Sequence, residues 1–314
     1  MRNVAVDEWP PQPQLSIDEI LAHPHFPVAR GAMVREMLGL YEHSPFLNRL
    51  LLEVGRNLVF VVIMCLDARY DENDRYTWPT LRAVSHAMAG FNLASPRRVA
   101  DLVSRLIKTG YLEQVLAAKD RRVRILRPTT KMIAQDQDWL VSHYAPLQVL
   151  FPNPGYASIM QRDPAFQRAQ RLVSASFFPY ATQTLARHPI MMQFMIREGG
   201  IMIIMKLIEL AGPNADTRRK IVYTDIGARF GISRTQVRKL LQEAEEAALL
   251  RLSQDGGRYV QLTPALVEAF DRLIADTMVG HDLMYKLAQR GEAAANAMFE
   301  SVQIAPSLAG AGGN

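Results

Sequence analysis

Apolar residues recur along most of the chain at the three-and-four spacing of helices packed on a core, and short polar or Pro/Gly-rich runs interrupt them. Ser16 with Glu19 predicts a capping box for a short helix that ends before Pro24. A helical pattern runs from Val28 to Tyr41, Ser44-Pro45 opens another that continues to about Arg69, and Asp71 to Arg75 reads as a surface loop. TWPTLRAVSHAMAGF can then form one helix with Pro79 at an early position, and Gly90 to Ala94 makes a turn. Ser95 is placed to cap a second helix with Pro96 at its first position, and Gly110 ends it. The strand-like runs YLEQVL and VRILRP flank the turn AAKDRR, and a helix of about sixteen residues leads from Pro128 to Pro146.

FPNPG (Phe151 to Gly155) interrupts any periodic structure and is the expected boundary. Beyond it the order repeats: a helix from about Pro164, the apolar run ARHPIMMQFMIREGGIMIIMKLIEL, and a polar loop AGPNADTRRK. TDIGARFGISRTQVRKLL (Thr224 to Leu241) then reads as helix, tight turn at Gly231 and second helix opening at Ser233. Ile226, Phe230, Ile232, Val237 and Leu240 face inward, with Gly227 where the helices cross, while Arg234, Thr235, Gln236, Arg238 and Lys239 face out. LLRLSQ and RYVQLT form a second hairpin around Asp255-Gly256, and Thr263-Pro264 starts a long helix ending near Gly291.

The two halves align on their punctuation. His43-Ser44-Pro45-Phe46 matches Arg187-His188-Pro189-Ile190, and Glu53-Val54-Gly55 matches Arg197-Glu198-Gly199, both at an offset of 144. Ser95 with Val99 and Leu102 matches Ser233 with Val237 and Leu240 at 138, and Arg122 and Pro128 match Arg258 and Pro264 at 136. The expected fold class is mainly α with small β-hairpins (α+β), built as two tandem winged helix-turn-helix domains with flanking helices. The expected division is a Pro-rich arm over 1–24, a first repeat over 25–150, a linker over 151–163, a second repeat over 164–291 and a flexible tail over 292–314.

Charge sharpens this picture. The 314-residue chain carries a net charge of +5, and the excess is concentrated. Ten Lys/Arg oppose three acids between Ser95 and Lys131, and seven oppose two between Asp216 and Leu240, as expected where phosphates are neutralised. The single cysteine, Cys65, excludes an internal disulfide framework and reads as a core thiol. LVFVVIMCL and IMIIMKLI are too short to cross a bilayer, and the acidic, Pro-rich start is unlike a secretion signal, so a cytoplasmic protein without a membrane partner is expected.

Each half resembles one subunit of a MarR-type regulator (the multiple antibiotic resistance repressor family), over roughly 25–145 and 165–290, in its helix-turn-helix, its basic or Asp-Gly wing and its flanking helices. The resemblance implies a winged-helix core with a dimerisation region. Such regulators are usually homodimers of a shorter chain, so two unequal fused copies imply a single-chain pseudo-dimer, or a homodimer of it with four heads. It also implies response to small aromatic or phenolic effectors, and it assigns no contact residue for one.

Double-stranded DNA is the expected partner. The candidate contacts are Ser95, Arg97, Arg98, Lys119, Arg121, Arg122 and Arg124 in the first repeat, with Ser233, Arg234, Thr235, Gln236, Arg238, Lys239 and Arg258 in the second. Ala100 and Asp101 stand where the second copy has Arg238 and Lys239, so copy one is expected to rely on its wing and copy two on its helix. The methionine-rich stretch Met191 to Met205 reads as core rather than ligand pocket. The seven histidines show no metal-ligand spacing, and neither phosphate loop nor nucleophile elbow is found, so no enzyme, cofactor or metal site is expected. A transcriptional regulator is the leading reading. A plasmid-type replication initiator with tandem winged helices and a winged-helix protein-interaction module are the alternatives.

Overall fold

The computed structural model of the protein describes residues 11–42, 44–212, 218–253 and 257–297. The start of the arm, His43, residues 213–217 of the AGPNADTRRK loop, the Asp255-Gly256 turn and the end of the tail lie outside the described residues.

The chain is mainly helical, with two small antiparallel sheets. The first half runs α1 (Ile17–Ala22), α2 (Phe26–Tyr41), α3 (Pro45–Leu51), α4 (Val54–Ala68), α5 (Leu81–Ala89), α6 (Pro96–Lys108), β1 (Leu112–Ala117), β2 (Asp120–Pro128) and α7 (Thr130–Leu150). The second half runs α8 (Ala157–Met160), α9 (Pro164–Ser176), α10 (Phe178–Ala186), α11 (Pro189–Met195), α12 (Gly200–Ala211), β3 (Arg219–Lys220), α13 (Tyr223–Phe230), α14 (Arg234–Glu246), β4 (Leu250–Leu252), β5 (Tyr259–Leu262) and α15 (Pro264–Ala288). β1 pairs with β2 alone, whereas β5 lies between β3 and β4.

Local chemistry sets the helix starts. Ser16 and Glu19 form the expected capping box, and Ser95 and Ser233 each accept the backbone N–H three residues on. Four expectations need correction. The helix expected from Pro45 to Arg69 is two helices, because Glu53 is extended between them (φ −116°, ψ 135°). Pro79 precedes α5 rather than joining it: Thr80 caps the helix, and the Pro79 carbonyl accepts the Leu126 N–H at 2.8 Å. α7 continues through Pro146 for 21 residues, since Tyr144, Leu147 and Leu150 around the proline are buried and hold the turn by packing. The first hairpin is tighter than AAKDRR suggests, with Asp120 to Arg122 already in β2.

The halves repeat in bond as well as in order. Tyr111 N–H donates to the Leu106 carbonyl at 3.0 Å and Leu249 N–H to that of Ala244 at 2.9 Å, an offset of 138 in both residues. Thr129 and Thr263 likewise bond back to Tyr111 and Leu249, at 3.0 and 3.1 Å. The caps Ser44 and His188 share one backbone conformation, φ −116° with ψ 58° and φ −119° with ψ 56°. α7 and α15 pack on one another, and His143 and His281, again 138 apart, stack between them.

The halves are interlaced: α2 packs on α12 of the second half, and α9 packs on α4 of the first. One hydrophobic cluster accordingly runs through both, from Ile20 and Met33 to Phe270 and Tyr285. The segment 151–163 is tied to this body, because Tyr156 donates its hydroxyl to Asp282 at 2.8 Å and its N–H to Gln148 at 2.8 Å. A buried ion pair, Arg171 with Asp136, joins α9 to α7 and lies within 5.2 Å of the Trp139 ring.

Candidate nucleic-acid interface

In the second half, α13 and α14 meet at a turn that favours glycine at two positions. Gly231 is left-handed at φ 68°, and any side chain at Gly227 would strike the Ile232 carbonyl. Ile226, Phe230, Ile232, Val237 and Leu240 are buried as expected, which fixes the rotation of α14 and leaves Arg234, Thr235, Gln236, Arg238 and Lys239 exposed. Gln236 is partly committed: its side-chain oxygen accepts the Ser233 N–H at 2.9 Å, completing a capping box that leaves the amide NH2 outward. Lys239 reaches Glu243 only at 3.9 Å, and neither Arg234 nor Arg238 has an acidic partner among the described residues. Beside this helix start lies an open cleft of about 450 Å³ lined by Lys220, Tyr223, Arg234 and Arg258. Lys220 belongs to β3, a strand that the polar loop concealed in the sequence.

The first half presents its cations differently. Arg97 is exposed at the start of α6, but Arg98 is diverted: its guanidinium bonds both oxygens of Glu53 at 2.8 Å. Asp101 is exposed on the same face. In the hairpin, Lys119 donates to Asn73 at 2.6 Å and Arg122 to Asp120 at 3.1 Å. Those Arg122 bonds hold the Asp120 carboxyl below the usual carboxylate range. Arg124 makes one long bond to Gln114 at 3.4 Å, and Arg121 is exposed without an ion pair among the described residues. The hairpin is braced from below by Trp78, Ala117 and Ile125, and by Arg127, which pairs with Asp67 at 3.0 Å and lies over the Tyr70 ring.

Two features escaped the sequence. The first is at the bends before α4 and α12. Glu53 occupies one and Arg197 the other, at equivalent positions, and each pairs with a helix of its own half: Glu53 with Arg98 on α6, and Arg197 with Glu243 on α14. The alignment of Glu53-Val54-Gly55 with Arg197-Glu198-Gly199 carried that signal as a reversed charge. The second is an apolar cavity of about 140 Å³ where the halves meet, walled by Met33, Met37, Met202, Met205, Trp139 and Phe270. Equivalent pairs line it, Leu51 with Met195, Asn57 with Ile201 and Trp139 with Thr277, so it lies on the axis relating the halves. The methionine stretch is thus largely core, with Met191, Met202 and Met205 buried, although part of it faces this cavity.

His143 also borders the cavity; burial holds its pKa well below the ordinary histidine value, so it is neutral, with Nδ1 against the Trp139 carbonyl at 2.8 Å. Burial likewise pushes the Cys65 thiol up, away from reactivity. Among the described residues no group of His, Cys, Asp and Glu could hold a metal ion, and no helix is long and apolar enough to cross a membrane. No protein-family model, curated protein or solved structure matches the chain.

Proposed function

We propose that the protein is a transcriptional regulator that binds double-stranded DNA through two fused winged helix-turn-helix units arranged as a MarR-like pseudo-dimer. One observation carries the reading: the start of α14 offers Arg234, Thr235, Arg238 and Lys239 on a face that its buried Val237, Leu240 and Leu241 hold rigidly outward. A helix so presented fits the major groove, with Lys220 and Arg258 beside it for the flanking phosphates. In the first unit Arg97, Arg121 and Arg124 are the exposed cations, so the hairpin contributes more than the helix. Two heads related by an approximate two-fold axis suit one quasi-palindromic site, and the reading puts the protein in the cytoplasm with the DNA.

The test is selection of duplexes from a randomised pool by the purified protein, then titration of the selected site. A regulator yields one quasi-palindrome; tandem direct repeats would favour the initiator alternative. Failure to enrich any duplex would leave only the protein-interaction alternative, and retention of full affinity by the R234A/R238A double variant would overturn the assignment of α14 as the main contact.

The axial cavity favours a second element of this reading. At about 140 Å³ it has the size of a single aromatic ring, with Asn57 and Thr277 among its lining residues, and it is the proposed seat of a small aromatic effector.

A further inference from the structure

We infer that an ionic strap across the junction of the halves fixes the separation of the two reading helices and thereby selects the spacing between half-sites in DNA. The inference rests on the DNA-binding reading and concerns the same surface.

The strap begins at Arg98 on α6, whose guanidinium holds both oxygens of Glu53 at 2.8 Å. Glu53 is only 8 % exposed and also pairs with Arg56 at 3.2 Å. Arg56 then crosses to the other half and meets Glu198 at 3.4 Å. The neighbour of Glu198, Arg197, pairs with Glu243 on α14, which in turn faces Lys239. A chain of alternating charge therefore leads from one reading helix to the other through the bends before α4 and α12.

The backbone follows the same route. Gly199 N–H donates to the Leu52 carbonyl at 3.2 Å, so the bends are joined directly. Each bend also supports the turn of its own helix-turn-helix. A side chain at Gly55 would come within 2.8 Å of the Leu93 carbonyl in the first turn, and one at Gly199 would strike Ile232 in the second. Moving either reading helix moves its bend, and the two bends are coupled by one backbone bond and the Arg56–Glu198 pair.

Spacing is where this coupling is read. One inserted base pair rotates one half-site against the other by about 34° and displaces it by about 3.4 Å. A rigid pair of heads cannot follow that change, whereas a loosened pair can. Diverting Arg98 from phosphate is the cost of the arrangement, and Glu53 is the residue that imposes it.

The experiment uses the full chain with Glu198→Gln, which breaks only the crossing pair, and Glu53→Gln as the second variant. Two labels at the equivalent exposed positions, Ser104→Cys and Gln242→Cys, report the separation of α6 and α14 by pulsed dipolar spectroscopy without DNA; buried Cys65 stays unlabelled. The duplex selected by the unsubstituted protein is then remade with one or two base pairs inserted or removed at its centre. The strap predicts a narrow distance distribution that broadens in both variants. It also predicts a loss of about tenfold or more on the one-base-pair insertion for the parent, shrinking to below about threefold in Glu198→Gln. An unchanged distribution, or unchanged spacing selectivity in a variant that still binds the selected duplex, overturns the strap. A parent that binds no duplex while the distances respond overturns the DNA reading and the spacing role with it.

Discussion

His143 and His281 stack with ring centroids 5.0 Å apart and planes 25° from parallel, at the crossing of α7 and α15. Each turns Nδ1 to the carbonyl four residues back, Trp139 for one and Thr277 for the other, both at 2.8 Å. Two imidazoles can stack in a buried core only while neutral, and Arg171 nearby adds to the cost of charging either. Burial depresses the His281 pKa to about 4, and burial followed by its partner depresses His143 further below the ordinary value.

The pH dependence has a definite sign. The unfolded chain titrates these histidines near 6.5, so between about 6.5 and 4 it binds more protons than the folded chain, and stability falls as pH falls through that window. His281 alone accounts for on the order of 3 kcal/mol between pH 7 and pH 4. Urea unfolding at pH 7 and pH 4.5 should show the loss, and His281→Gln should flatten the slope. A midpoint independent of pH over that window would refute the assignment.

Arg171 and Asp136 are almost wholly buried, with Gln167 also donating to Asp136 at 2.7 Å. Arg171→Ala should cost about 3–5 kcal/mol, because it strands a buried carboxylate, while Arg171→Met with Asp136→Leu should regain much of that loss. Thermal denaturation of the single and double variants checks it.

Gly199 is left-handed at φ 68° and packed against Ile232. Gly199→Ala should destabilise the fold by about 1–3 kcal/mol, more than the same change at Gly39, whose surroundings are open. Equal denaturation midpoints for the two variants would contradict the packing argument.

On the proposed DNA-binding reading, titration should distinguish the two halves. R234A/R238A should weaken binding at least about tenfold and lower the salt slope by nearly two, whereas Arg98→Ala should change little because Glu53 already holds that guanidinium. Affinity measured between 50 and 200 mM salt gives both quantities.

Much of the fold was legible where local chemistry decides it. Ser95, Ser233, Gly231 and the buried stripe of α14 stand where spacing and capping put them, and the order of elements repeats as the punctuation implied. The bend at Glu53 was not legible, since apolar residues continue on both sides and the extended backbone answers to Gly199, far away in sequence. The passage of α7 through Pro146 was hidden for a similar reason: neighbouring side chains, not the proline, decide it. Of the candidate contacts, exposure at Arg97, Arg234 and Arg238 followed from periodicity, but the ties of Arg98 and Lys119 depend on partners that folding brings together, whereas that of Arg122 is to Asp120 two residues away.

Interlacing α2 with α12 and α9 with α4 has an evolutionary consequence. In an assembly of identical subunits every substitution arrives twice, once on each side of the axis, and must be tolerated in both places. Joined in one chain, the sides are inherited separately. Glu53 facing Arg98 and Arg197 facing Glu243 are opposite solutions at one position, which two identical copies could never hold together.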